Sequence, residues 1–220
     1  LNSRSGPKAE GAAQYVESEP PTILIIDDDK LVRDALDSLF RSTGLKTILF
    51  ESAQALLDAS FPDCVCCIVT DVRMPQMSGL EFQNVLIERG DRMPLIFMTG
   101  HGDIPMSVQA MKAGAVDFLA KPFRDQDMLD AVNSALAKHR QQRRASENLI
   151  SIKARRASLT PREREVMDLV VTGMMNKQVA GELGLSEITI KLHRANLMKK
   201  MAVRTLAELV RVAEAIERES

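Results

Sequence analysis

The chain has 220 residues, 45% hydrophobic and 27% charged, enough for two modest domains with cores of their own. No apolar run reaches the length of a membrane span and no charged-then-apolar leader opens the chain, so the expectation is a cytoplasmic protein without a membrane partner. The net charge of −1 conceals an asymmetry: residues 1–137 carry 12 Lys and Arg against 20 Asp and Glu, net −8, while residues 138–220 carry 17 against 10, net +7. An acidic front and a basic rear suggest two separate jobs, the second involving a polyanion, although a charge imbalance by itself is ordinary solvated surface.

Residues 1–21 are rich in Ser, Gly, Pro, Glu and Ala and predict a disordered tail. From Thr22 apolar strand-like runs alternate with amphipathic helical patterns. Strands are predicted over 23–26, 47–50, 65–70, 95–98 and 116–119, and helices over 31–42, 53–59, 80–89 and 104–113. Ser52 and Ser78 stand where helices should start, and Gly44, Gly90 and Gly114 where they should stop. Cys64, Cys66 and Cys67 lie too close together for a disulfide framework and lack the paired spacing of a zinc site, so they are expected as small core side chains. A helix from Asp125 runs into a polar, Arg-rich stretch, 138–158, predicted as a largely helical linker. Four short helices follow, over 161–172, 177–183, 187–201 and 206–216, with Val166, Leu169, Val170, Val179, Leu183, Ile190, Leu197 and Met201 as their core.

Five β/α units of this length argue for a doubly wound parallel sheet, whose ligands collect beyond the carboxyl ends of the strands. Asp27 and Asp28, Asp71, Thr99 and Lys121 all fall at or just after strand ends. The run "TILIIDDDK" places three like charges at the mouth of a buried strand, where desolvation is costly. Either the cluster is a solvated turn or a cation belongs there. Asp28 and Asp71 on neighbouring strand ends, with Asp27 behind them, form a hard all-oxygen site suited to Mg²⁺. Asp71 is then a nucleophile for a phosphoryl group, with Lys121 pairing with the incoming charge and Thr99 donating a hydrogen bond to it. Taken singly, Asp71 as a loop cap and Lys121 as a surface lysine are the plainer readings; four strand ends in the right order weigh against them jointly.

The strings "ILIIDDD", "VTDVRMPQMSGLE" and "LIFMTGHGDIPMSVQAMKAGAVDFLAKPF" resemble the receiver domain of two-component response regulators, the last being especially similar to the FixJ branch, and the similarity covers about 22–123. The resemblance implies a flavodoxin-like α/β receiver over 22–137 that requires Mg²⁺ and takes its phosphoryl group from a sensor histidine kinase. Carried over by position, it makes Asp71 the phosphoacceptor and Asp28 a direct metal ligand. Asp27 acts through water, the Arg73 carbonyl is a further ligand, and Phe118 is the aromatic switch residue that follows Thr99 inward, a role compatible with the plainer reading of Phe118 as a core residue. Lys121–Pro122 matches a step that is commonly cis in that family. His101, between two glycines, predicts a tight loop and receives no catalytic role. The surface of 104–113, 116–119 and the start of the Asp125 helix, with Met106 and Met111, is where phosphorylation is expected to promote a homodimer.

In the rear half, Gly184 lies in a turn between two helices and Ser186 caps the second, which carries Lys191, His193, Arg194, Lys199 and Lys200. The string "LTPRE…NKQVAGELGLSEITIKLHRANLMKKM" resembles the LuxR-type domain of the NarL/FixJ regulators, implying an all-α, four-helix, helix-turn-helix unit over 159–220. On that resemblance helix 187–201 enters the major groove of promoter DNA. Lys191, Leu192 and Ala195 are expected nearest base edges, and Thr189, Arg194, Asn176 and Lys199 toward phosphates. The implied partners are the kinase, an inverted-repeat duplex, RNA polymerase and a second copy of the chain, and the expected outcome is regulated, on the family pattern activated, transcription. Two other readings remain: a flavodoxin-like catalyst or phosphatase with an accessory helical domain, opposed by the scarcity of aromatics and the lack of a Gly-rich phosphate loop, and a DNA binder whose receiver no longer responds to phosphorylation, opposed by the intact Asp28, Asp71, Thr99 and Lys121.

Overall fold

The computed structural model describes residues 20–100 and 104–218. The chain divides into two units, Leu1–Gln141 and Gln142–Ser220. In the first, the apolar runs form five parallel strands: β1 (Thr22–Ile26), β2 (Lys46–Phe50), β3 (Cys66–Asp71), β4 (Leu95–Thr99) and β5 (Asp117–Ala120), in the order β2-β1-β3-β4-β5. β1 and β4 are buried along their whole length, as expected for strands covered on both faces. Alternation sorts their side chains. Leu24, Ile26, Ile68 and Phe97 pack with α2 (Ala53–Leu57), α3 (Gly79–Glu88) and α4 (Ile104–Lys112). Ile23, Ile25, Val69, Ile96 and Met98 face α1 (Lys30–Ser42) and the first half of α5 (Asp125–Ala157) through Leu36, Phe40, Met128 and Val132.

Helix ends follow local chemistry. Ser52 accepts a hydrogen bond from the Ala55 amide, and Ser78 forms a reciprocal capping box with Glu81. The third aspartate of the opening cluster belongs to this class: the Asp29 carboxylate accepts the Leu31 amide at 2.8 Å and caps α1. Two strands begin one residue later than the apolar pattern suggests, because ladder pairing decides the register. Asp71 pairs with Met98, and the Val72 amide continues to the Met98 carbonyl at 2.9 Å, so Asp71 is itself the last residue of β3. The three cysteines are buried free thiols, and burial, reinforced by neighbouring Cys66, pushes the Cys67 thiol well above its usual range. At the opposite end of β3, the Cys66 amide donates to His139 Nδ1 of α5 at 2.9 Å.

The second unit contains α6 (Pro161–Val171), α7 (Asn176–Leu183), α8 (Glu187–Met201) and α9 (Leu206–Glu217). Its core joins Val166, Val170, Val179, Ile190, Leu197 and Met201 to Leu209 and Ile216, with Leu169 and Leu183 only partly buried at its edge. α5 is unbroken through Ala157, so residues 138–157 are helical. They are not all spacer: Ile152 is buried in the second unit's core, one apolar residue in a polar stretch that composition alone reads as solvent-facing. The expected tail lies outside the described residues except for Pro20 and Pro21, and so does His101.

Candidate functional site

In a parallel sheet, a crevice opens at the carboxyl ends of the strands where the strand order reverses, here between β1 and β3. Asp27 leaves β1 into this crevice and Asp71 ends β3 beside it. Carboxylate oxygens of Asp27, Asp28 and Asp71 lie within 4.8 Å of one another. Asp27 is 1% exposed, Asp71 half-buried and Asp28 exposed, so the group opens to solvent on one side. Lys121, just after β5, reaches back to lie 2.9 Å from Asp27 Oδ2 and 2.9 Å from Asp71 Oδ2. Burial pushes the Asp27 carboxyl above its usual value, although Lys121 and the Asp29 amide pull the other way. Burial also works against the Lys121 ammonium, but its hydrogen bonds to Asp27 and Asp71 outweigh that, and its pKa is raised.

Three carboxylates against one ammonium leave two formal negative charges in the pocket. Part of the positive charge that the acidic run calls for is thus supplied by the chain itself. The residual charge and the all-oxygen donor set fit a small divalent ion, and the exposed Asp28 leaves room for the water ligands that Mg²⁺ retains. Arg73 stands at the rim, its amide donating to Asp71 Oδ1 at 3.3 Å.

Thr99, the last residue of β4, is fully buried, and its carbonyl accepts the Lys121 amide at 2.6 Å, which ties the lysine backbone to the β4 end. The Lys121–Pro122 peptide is cis. Phe118 is half-buried and paired in register with Phe97, the ring centroids 6.2 Å apart and the planes tilted by 49°. One residue without a role in the sequence reading matters here. A Cβ on Gly79 would stand 2.5 Å from the Asp71 carbonyl oxygen and 2.9 Å from the Phe97 ring. The start of α3 is therefore pressed against the backbone that carries Asp71, and only glycine fits. Glycine beside a cap residue in the quoted "MSGLE" is the one signal that could have shown it.

In the second unit α7 ends at Gly184, which is left-handed with φ 64°, and Ser186 caps α8 by accepting the Thr189 amide at 3.2 Å. Ile190, Leu197 and Met201 bury one side of α8. Lys191, Leu192, Ala195 and Lys199 are exposed on the other, together with Ile188, an apolar residue with no place in the expected contact set. Arg194 Nη1 donates to Asn176 Oδ1 at 3.0 Å, so two residues expected separately at phosphates are joined, linking α8 to the first residue of α7. The Thr189 hydroxyl pairs with Ser186 Oγ at 2.8 Å. Lys200 leaves the basic face altogether, its Nζ lying 2.7 Å from the buried carboxylate of Glu163.

Residues 23–133 match the family model of the response regulator receiver domain, and residues 157–213 that of bacterial regulatory proteins of the luxR family. Nodulation protein W of Bradyrhizobium diazoefficiens is 50% identical over 207 residues, which cover 94% of this chain and 91% of that protein. Transcriptional regulatory protein FixJ of Azorhizobium caulinodans is 47% identical over 189 residues, covering 86% of this chain and 90% of its own. Among solved structures, response regulator StyR aligns with a TM-score of 0.79 at 46% identity, over 89% of this chain and 98% of that one. Among the described residues no helix is long and apolar enough to cross a membrane.

Proposed function

The chain belongs to the NarL/FixJ family of response regulators, which join a receiver domain to a LuxR-type DNA-binding domain to regulate transcription, and on that premise we propose that Asp71 is the phosphoacceptor whose modification switches DNA binding. The observation that carries the proposal is the Lys121 ammonium bridging Asp27 and Asp71 in a pocket that keeps two uncompensated negative charges.

Asp27, Asp28 and Asp71, with the carbonyl of Arg73, are the residues that would hold Mg²⁺, Asp27 acting through water. When bound, that ion offsets charge on the phosphoryl oxygens. An Asp71 carboxylate oxygen attacks phosphorus in line, forming an O–P bond as the P–N bond to the kinase histidine breaks, and the imidazole leaves with the bonding electron pair. Lys121 Nζ, already at Asp71 Oδ2, transfers one hydrogen bond to a phosphoryl oxygen. The Thr99 hydroxyl donates to another, and the Phe118 ring follows into the space beside Phe97.

The new charge is thereby read out on α4 and β5, where Val108 and Met111 are each 45% exposed and supply apolar surface for a second copy. A shift from one per cent to ninety-nine per cent active needs about 5.5 kcal/mol of differential stabilisation, shared between phosphoryl and dimer contacts. Two copies bring two α8 helices to half-sites one DNA turn apart on an inverted repeat, where RNA polymerase is recruited. Lys191, Leu192 and Ala195 lie nearest base edges. Lys199 and Thr189 meet phosphate, and Arg194, oriented by Asn176, does the same. The test is intact mass after incubation with acetyl phosphate and Mg²⁺. Wild type gains one phosphoryl adduct and Asp71→Asn gains none; an equal adduct on both proteins would remove Asp71 from the chemistry.

A further inference from the structure

At 3.6 residues per turn, Ile188, Lys191, Leu192, Ala195 and Lys199 fall within an arc of about 100° on α8, opposite the buried Ile190, Leu197 and Met201. Two members of that arc are out of place on a solvated helix. Ile188 is 83% exposed and Leu192 61% exposed, and they stand one turn apart, so their side chains form a short continuous apolar stripe. Lys191 and Lys199 flank the stripe with positive charge. A second copy of this face would bring like charges together, whereas a polyanion with apolar groups on its inner surface matches both features. The major groove of duplex DNA has that character: phosphates line its rims, and the only apolar group on its floor is the thymine C5-methyl.

We propose that Ile188 and Leu192 are specificity-determining residues of this chain and that they read thymine C5-methyl groups at successive positions of each half-site. The inference rests on the reading of α8 as the DNA-facing helix and adds what that helix selects. Lys199 at phosphate sets affinity and register and Lys191 meets a base edge, while the stripe rewards T over C, which lacks the methyl group.

The full-length protein, treated with beryllofluoride and Mg²⁺, is used to select a duplex from a randomised library. The enriched duplex is then resynthesised with uracil replacing thymine at single positions, which removes one methyl and keeps every base pair. Wild type is expected to lose about fourfold in affinity per contacted methyl. Ile188→Ala should bind the thymine duplex more weakly and be indifferent to uracil at one position, and Leu192→Ala should be indifferent at the neighbouring one. Both residues are exposed, so circular dichroism should show both variants folded. Enrichment of a duplex that wild type binds equally well with thymine or uracil would overturn the inference and leave the DNA-binding reading intact. A change of oligomeric state in Ile188→Ala with unaltered thymine preference would overturn it in favour of a protein contact. Failure to enrich any duplex would overturn the reading of α8 itself.

Discussion

Lys121 and Gly79 between them fix where the Asp71 carboxylate stands. Lys121 acts electrostatically: it holds two carboxylates that would otherwise repel each other, and the near-complete burial of Asp27 makes that partner necessary. Gly79 acts sterically, by letting the α3 start lie against the Asp71 carbonyl. Gly79→Ala places a methyl 2.5 Å from that oxygen, which the backbone can relieve only by moving. The expected cost is about 1–3 kcal/mol in denaturant unfolding of the first unit, together with slower labelling by acetyl phosphate. Unchanged stability and labelling would show that the two segments separate freely. At this scale the sequence was informative about identity and silent about geometry. Asp27, Asp71 and Lys121 could be named from strand ends, but a bridge between residues 94 and 50 positions apart is created only by the order β1-β3-β4-β5. The role of Asp29 as a cap was likewise hidden, because its neighbours made it look like one more member of an acidic cluster.

Among the elements, α6 and α8 are held by a charge pair that the pattern of basic residues did not reveal. In sequence Lys200 is one more cation on the basic helix, yet it meets Glu163, which is 3% exposed and also closes the α6 capping box with Thr160. Lys200, joined by the Thr160 amide and hydroxyl, holds the Glu163 carboxyl below its ordinary value of 4.5, outweighing the effect of burial. Because the folded-state pKa is depressed, this pair contributes stability in full above the unfolded value and loses it as pH falls through the lower folded value. Protection factors of α6 amides, taken relative to intrinsic exchange at each pH, should therefore fall below pH 4.5 in wild type. Glu163→Gln should be less protected at neutral pH and lack that acid-dependent component; an identical pH profile for the two proteins would remove the pair from the stability of the unit. Strands and helix starts were legible because continuous apolar runs and Ser-x-x-Glu caps are local signals. α8 was harder, since apolar residues occupy both its sides: Ile190 and Leu197 go inward while Ile188 and Leu192 do not. Periodicity cannot rank two apolar faces, and only packing against α6 and α7 decides.

For the whole molecule, the acidic and basic halves of the sequence correspond to two units with different chemistry, one gathering carboxylates at a sheet edge and the other presenting lysines on a helix. In the first unit Met128, Val132 and the His139 bond hold α5 to the sheet, and in the second Ile152 is buried in the helical core. The division of labour makes the central claim testable in a single comparison. Full-length wild type and Asp71→Asn are treated with beryllofluoride and Mg²⁺, and sedimentation mass and affinity for a selected inverted-repeat duplex are followed together. Wild type should dimerise and bind more tightly while Asp71→Asn does neither. An equal response from both proteins, or a wild type that remains monomeric with unchanged affinity, would contradict it.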